Sequence, residues 1–339
     1  MSSSIQARMP PVETEFVNIP GTQLKVSRVA LGTWAMGGWM WGGTDQRESV
    51  ATIHAALDQG INLIDTAPVY GFGVSEEIVG AALEGIRDRA VIATKTGLEW
   101  RDGNVYRNAT RARILREVDD SLRRLRTDYI DIYQVHWPDP LVPIEETAEA
   151  MRSLYEQGKI RAIGVSNFSV AQMKSFRQVS PLHALQPPYN LFEREIETDI
   201  LPYCLAENIA TFGYGALCRG LLSGRIRPDT VFEGDDLRRI DPKFQPPRLA
   251  QYLEAVQQLD DLAKTRFERR VIHLAVRWML DQGISVALWG GRHPEQVRDA
   301  RGVAGWSLGD ADRQLVERMV DTTVVDPIGP EFMAPPQRA

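Results

Sequence analysis

Apolar, largely β-branched runs recur along the chain: VALGTW (29–34), NLIDTA (62–67), AVIATK (90–95), YIDIYQVH (129–136), RAIGVSN (161–167), HALQPPY (183–189), ATFGYG (210–215) and ISVALWGG (284–291). Most are apolar on both faces rather than alternating, the pattern of parallel strands covered by helices. Between the runs the period becomes that of a helix. In QRESVATIHAALDQG (46–60), Val50, Ile53, Ala56 and Leu57 fall at helical spacing, and Gly60 suits the position just past a helix end. SEEIVGAALEG (75–85) opens on Ser75, a candidate N-cap, followed by two acids that suit the positive end of a helix dipole. Ile114, Val118 and Leu122 form a stripe within 110–126, and 143–159 begins at Pro143 and ends at Gly158. Further helices are expected over 169–179, 197–208, 271–282 and 294–301.

Strand and helix thus alternate through eight units, the count that closes a (β/α)8 TIM barrel of class α/β. An open doubly wound sheet would carry a Gly-rich fingerprint after its first strand, and neither G-x-G-x-x-G nor a Gly-Lys-Ser/Thr loop is present. Two segments break the rhythm. FVNIPGTQLKVS (16–27) reads as a hairpin turning at Pro20-Gly21. Between the seventh and eighth runs lies a long insertion, CRGLLSGRIRPDTVFEGDDLRRIDPKFQPP (218–247), followed by a helical pattern over 248–265; loops this long in compact domains are usually functional or mobile. The expected organisation is one barrel domain over 14–325, a disordered N-terminus over 1–13, and a tail over 326–339 that either folds back over the working face or stays disordered.

Composition narrows the function. The chain has 339 residues, 43% hydrophobic and 25% charged, as ordinary globular proteins do. A net charge of −6 gives no basic footprint for nucleic acid or an anionic membrane. Cys204 and Cys218 make neither a disulfide framework nor an all-thiolate zinc site, which fits a cytoplasmic location. MSSSIQARMPPVETE lacks the apolar core of a signal peptide, and no apolar run is long enough to span a bilayer. The histidines form no H-E-x-x-H or H-x-H, so a metal-dependent barrel hydrolase has no ligand set.

In a closed parallel barrel the working face lies at the C-terminal strand ends. That rim presents Asp65 with Tyr70 in the loop beyond it, then Lys95, His136, Ser166-Asn167, Gln186, Tyr214 and Gly290-Gly291-Arg292. Singly, each has a structural reading: a loop-capping Asp, a core Tyr, a solvated Lys, a satisfied buried His. Together, Asp65, Tyr70, Lys95 and His136 have a joint chemical use. A phenol is a poor acid, with a pKa of about 10. A nearby ammonium, Lys95, would lower it, and Asp65 would hold that ammonium in place. His136 would hydrogen-bond a substrate oxygen beside the hydroxyl. The set offers a proton donor and an electrophilic pocket for a carbonyl oxygen becoming an alkoxide. The hydride has to come from a cofactor.

The segments LGTW (31–34), NLIDTAPVYGFGVSEEIVG (62–80), VIATK (91–95), DIYQVHWPDP (131–140), GKIRAIGVSNF (158–168), LQPPYNL (185–191) and YGALCRGLLSG (214–224), in this order, resemble the aldo-keto reductases. These are NAD(P)H-dependent oxidoreductases on a (β/α)8 barrel. The layout most resembles the bacterial aldehyde-reductase branch, itself similar to potassium-channel β subunits. The resemblance implies a hairpin plug at 16–27 and NADPH lying across the rim. It implies that Tyr70 donates the proton, that Lys95 and Asp65 tune it, and that His136 orients a small-molecule carbonyl substrate. Ser166, Asn167 and Gln186 would hydrogen-bond the nicotinamide carboxamide, Tyr214 would stack on its ring, and Gly32, Thr33 and Trp34 would approach it from the first strand. The backbone of Gly215, Ala216, Leu217, Cys218, Arg219 and Gly220 would line the pyrophosphate, with Arg219 as its cationic partner. Gly291, Arg292 and Gln296 would surround the adenosine 2′-phosphate and adenine.

Three positions carry alternatives. Arg292 either grips a phosphate, which would favour NADPH over NADH, or forms a surface salt bridge to Glu295 or Asp299. Ala300 stands where many relatives carry an adenine-contacting Asn. Trp34, Trp41 and Trp137, with Trp39 and Met40, either wall an apolar substrate pocket or bury one another under a folded loop. The rival function from another class is a cofactor-sensing subunit that holds NADPH with little turnover.

Overall fold

Each apolar run pairs in parallel with a neighbour until the sheet meets itself. The computed structural model describes residues 13–338, so nearly all of the N-terminal segment expected to be disordered lies outside the described residues. An antiparallel hairpin comes first, β1 (Phe16–Asn18) and β2 (Lys25–Ser27). The barrel strands β3 (Val29–Gly32), β4 (Leu63–Asp65) and β5 (Val91–Thr96) follow, then a second hairpin, β6 (Leu98–Arg101) and β7 (Asn104–Arg107). The remaining barrel strands are β8 (Ile130–Val135), β9 (Ile160–Ser166), β10 (Ala184–Gln186), β11 (Ala210–Gly213) and β12 (Val286–Gly290). Among the described residues, these eight close a barrel in the order β10-β11-β12-β3-β4-β5-β8-β9.

Side chains alternate across a strand, and here that alternation sorts chemistry by height. Ala30, Leu63, Ala93, Ile132, Ala162, Ala184, Phe212 and Leu288 form an interior cluster with Ile19 and Val26 of the first hairpin, all buried. The hairpin therefore plugs the N-terminal end. Two residues further along the same inward face come Gly32, Asp65, Lys95, Gln134, Gln186, Tyr214 and Gly290. The floor of the barrel is apolar and its other end is polar because each strand changes character between consecutive inward positions. The opposite face, with Leu31, Ile64, Ile92, Tyr133, Ile163, Leu185 and Trp289, packs under the helices.

The helices start and stop where local chemistry allows. Asp45 accepts from Glu48 N, Thr110 accepts from Arg113 N, and Ser169 with Gln172 forms a reciprocal capping box. Ser75 is a correction: the helix Val74–Ala82 is capped by Gly73, and the Ser75 hydroxyl is buried inside it. That hydroxyl lies 2.7 Å from Thr33 Oγ1 and 2.9 Å from Thr66 Oγ1, joining the turns that follow β3 and β4. The helix Asp310–Thr323 and the β6–β7 hairpin add to the sequence expectations.

Between β11 and β12 the insertion makes short turns at Leu237–Arg239 and Pro242–Phe244 before the helix Arg248–Phe267. The C-terminal tail folds back toward the C-terminal strand ends. Arg107 N donates to Pro336 O (3.0 Å), Arg107 Nε donates to Pro335 O (2.9 Å), and Arg338 pairs with buried Asp139 (2.5 Å). Among the described residues, no helix is long and apolar enough to cross a membrane. Cys204 and Cys218 are fully buried, and burial pushes both thiols up to about 12. Neither is expected to react with Ellman's reagent at pH 8 in the native protein, whereas both should in guanidinium; rapid native labelling would contradict this burial.

Candidate active site

The loop carrying Tyr70 is held by backbone meeting backbone. A Cβ on Gly37 would stand 2.5 Å from Tyr70 C, and one on Gly71 would stand 2.0 Å from Gly37 O. Gly71 also has a φ of +68°. Only glycine fits either position, and the contact presses the turn after β4 onto the turn after β3. Tyr70 is 9% exposed. Its ring stacks on Trp34 (centroids 5.8 Å apart) and meets His136 edge-on at 5.9 Å.

Beneath it lies a buried ion pair. Lys95 Nζ donates to both Asp65 oxygens (2.9 and 2.8 Å) and to Thr66 O (2.9 Å), and it sits 5.0 Å from the centroid of the Tyr70 ring. Gln186 Nε2 donates to Asp65 Oδ1 (2.8 Å), and Gln134 Nε2 approaches the same oxygen at 3.5 Å. Gln134 was not singled out from the sequence. It is fully buried and lies two positions before His136 on the same inward face, a period-2 relation that would have revealed it.

The electrostatics set burial against the expected tuning. Burial, with the charge of Asp65 and then Tyr214 added, holds the Tyr70 hydroxyl well above the usual phenol range. Asp65 sits directly on the Lys95 ammonium and offsets part of the charge that would favour the phenolate. Burial lowers Lys95 itself, against the opposing pull of Asp65. Burial and the neighbouring Lys95 charge push His136 well below its usual range, so its imidazole is neutral at physiological pH. A neutral imidazole still donates one N–H. The site thus presents two uncharged donors, a phenol and an imidazole.

These residues open into a cavity of about 710 Å³. It runs from Trp34, Trp41, Tyr70, His136 and Trp137, past Gly32, Asp65, Ser166, Asn167, Gln186 and Tyr214, to Gly215, Ala216, Leu217, Arg219 and Gly220, and on to Gly291, Arg292 and Gln296. Trp39 and Met40 line it too, so both alternatives hold at once: the tryptophans wall a cavity, and Trp34 and Trp41 also pack edge-on with centroids 5.5 Å apart. Leu98, Asn104 and Val105 of the second hairpin and Phe332, Met333, Pro335 and Pro336 of the tail complete the wall. Lys95 lies under the floor. On the rim, Asn167 is held at a φ of +61°; its Nδ2 donates to His136 O (3.0 Å) and its Oδ1 accepts from the Tyr214 hydroxyl (2.9 Å). Ser166 Oγ donates to Gln186 O (2.7 Å).

Several expected roles change. Thr33 is buried behind the wall, donating to Asp65 O (2.9 Å). The Cys218 side chain is fully buried as well, which leaves only its backbone for the role expected of it. Arg219 lines the cavity, but its guanidinium is tied to Asp241 and Glu193, both at 2.5 Å, so it is no free partner for a pyrophosphate. Arg292 makes neither surface salt bridge considered for it; Nη1 donates to the carbonyls of Trp41 (2.9 Å) and Gly43 (3.4 Å). Gln296 Oε1 accepts from Arg292 N (2.8 Å), which turns that segment into the helix Pro294–Arg298. Ala300 is buried in the core, and Asp299 faces the cavity beside it.

Residues 28–320 match the aldo/keto reductase family. The chain belongs to that family. It is 60% identical over 327 residues to aldo-keto reductase YhdN of Bacillus subtilis, covering 96% of this chain and 99% of that protein. It is 37% identical over 317 residues to an NADH-specific methylglyoxal reductase of Escherichia coli, covering 88% and 96%. Among solved structures, this aldo/keto reductase resembles the glycerol dehydrogenase AKR11B4 of Gluconobacter oxydans at a TM-score of 0.86 and 55% identity, over 94% of this chain and 99% of that one. An aldo-keto reductase from Klebsiella pneumoniae in complex with NADPH superposes at a TM-score of 0.71 with 27% identity, over 96% and 99%.

Proposed function

We propose that this aldo/keto reductase reduces small aldehydes or ketones with NADPH, with Tyr70 as proton donor. The observation that carries the reading is the convergence, in one cavity, of a neutral phenol and a neutral imidazole above a buried ammonium–carboxylate pair. The cleft fits a dinucleotide: it extends from these donors past the Gly215–Gly220 loop to Arg292, and its volume falls within the roughly 300–1,000 Å³ usual for ligand sites. NADPH is the preferred cofactor because a guanidinium stands at the far end, and because a relative of the same fold is known with NADPH. When bound, its reduced nicotinamide supplies the hydride.

The chain's own residues do the rest. Ser166, Asn167 and Gln186 position the carboxamide end of the cofactor, and Tyr214 presents a flat face to it. His136 donates a hydrogen bond to the carbonyl oxygen, and Tyr70 hands over its proton as negative charge builds there. The tryptophan wall, with the tail above it, excludes water. The relatives named as a methylglyoxal reductase and a glycerol dehydrogenase place small oxygenated carbonyls, and the polyols to which they are reduced, first among candidates.

The test is NADPH oxidation with methylglyoxal and 4-nitrobenzaldehyde, repeated with NADH. Rapid turnover supports the reductase; tight NADPH binding without turnover would mean a sensor. The pH dependence is a sharper check. A proton donor with a raised pKa stays loaded throughout the neutral range, and His136, with a lowered pKa, is neutral there. The kcat/KM for reduction should therefore be flat between about pH 6 and pH 9, and alcohol oxidation, which needs the phenolate, should climb with pH over the same range. A drop in reduction centred near pH 8 would contradict the burial argument.

A further inference from the structure

Resting on the reading of Tyr70 as proton donor, we infer that Glu76 and Glu117 are positioning residues, which from behind β5 set the height of Lys95 beneath the phenol. Both carboxylates are buried, at 0% and 1% exposed, and neither lines the cavity. Glu76 comes from the helix Val74–Ala82 and Glu117 from the helix Arg111–Leu125. Lys95 points into the barrel, so its neighbours Thr94 and Thr96 point out toward the helices. Thr94 Oγ1 donates to Glu76 Oε1 (2.6 Å), and Thr96 Oγ1 donates to Glu117 Oε2 (2.9 Å). Gly97 N donates to the same Glu117 oxygen (3.1 Å). The strand is gripped on both sides of the residue that carries the ammonium.

The two grips also reach the two uncharged donors. Ser75 N, one residue before Glu76, donates to Tyr70 O (3.1 Å), so Glu76 ties the segment carrying the phenol to the strand carrying the ammonium. Thr96 O accepts from His136 N (2.8 Å), so Glu117 holds the strand end to which the imidazole residue is bonded. Each carboxylate is fixed in turn by an arginine of the helix Arg111–Leu125. Arg124 Nε donates to Glu76 Oε2 (2.6 Å), and Arg113 pairs with Glu117. Packing alone does not call for this arrangement. Apolar side chains of similar volume are often at least as stabilising as a buried ion pair, and what the pair adds is register. Apolar cover would leave open where β5 sits along its own axis, and Lys95 has to stay within reach of both Asp65 oxygens and of Thr66 O.

Thr94→Val and Thr96→Val in the full-length protein test this with both ion pairs left in place. Each is expected to lower kcat for methylglyoxal reduction by about 10-fold or more, the scale of a misplaced reacting group, with KM and NADPH affinity at their wild-type values. Thr94→Ser, which returns the hydroxyl, should recover the rate. Thr94→Ala and Thr96→Ala are smaller and should show the same split, which keeps the test open should a valine variant fail to fold. Thr211→Val is the control: it removes a strand hydroxyl, 1% exposed, that accepts from Ser285 N (3.1 Å) at the start of β11. It should lower the melting temperature and leave kcat unchanged, with all rates compared below the lowest melting temperature of the set. A wild-type kcat in a folded Thr94 or Thr96 variant that lacks the hydroxyl would overturn the role of the carboxylate it faces. A loss of kcat in Thr211→Val equal to theirs would overturn both roles, since rate would then follow stability alone. A Tyr70→Phe variant that keeps the wild-type rate would refute the proton-donor reading itself, a result distinct from an essential Tyr70 that the threonine variants leave untouched.

Discussion

Tyr70→Phe is expected to lower kcat for aldehyde reduction by about 10²–10⁴-fold, the range general acids supply, while NADPH affinity stays at the wild-type value. The substitution is close to a pure test because the hydroxyl faces the cavity and makes no hydrogen bond within the described residues, so removing it orphans no buried partner. The ring packing on Trp34 and His136 is kept. Steady-state rates with methylglyoxal, together with cofactor titration by fluorescence, decide the matter. A variant that turns over at near wild-type rate would remove Tyr70 from the chemistry and leave His136 as the sole donor.

Lys95→Met should cost about 3–5 kcal/mol of folding stability, measured by urea unfolding, because it strands a carboxylate that is 3% exposed. Gln186 and Gln134 still donate to Asp65, but neither carries charge. The second variant is the informative one. Asp65→Asn combined with Lys95→Met removes both charges, and most of the lost stability should return, as it does when a buried pair is replaced whole. Activity should not return with it, since the site has lost the pair beneath the phenol. If the single variant loses less than about 1 kcal/mol, the pair is solvated and the burial described for it is wrong.

The barrel was legible because its signal is repeated: eight apolar runs, each followed by a helix-period stretch, leave little room for another topology. The inward set was legible in part. Asp65, Lys95 and His136 stand out because charge or imidazole interrupts an apolar run, whereas Gln134 interrupts one less visibly and is found only by counting alternate positions from Ile132. The β6–β7 hairpin carried a readable mark, Asp102-Gly103, whose φ values of +51° and +79° belong to a tight turn; flanking arginines and the lack of a long apolar run hid it. Ser75 misled because hydroxyls serve turns as readily as caps, and the three-dimensional neighbour Thr33 decides which. Arg219 misled more deeply. Its neutralisation depends on Glu193 and Asp241, which are remote from it in the chain, and long-range ion pairing leaves no local pattern.

The anchoring of the last residues has a practical corollary. Arg338 grips Asp139, and Pro335 and Pro336 line the cavity proposed to take a carbonyl compound. A purification handle joined close behind Arg338 would pull on that anchor or crowd the cavity wall. Specificity constants taken on such a fusion would then describe the handle as much as the enzyme, and large aldehydes would register the difference before small ones.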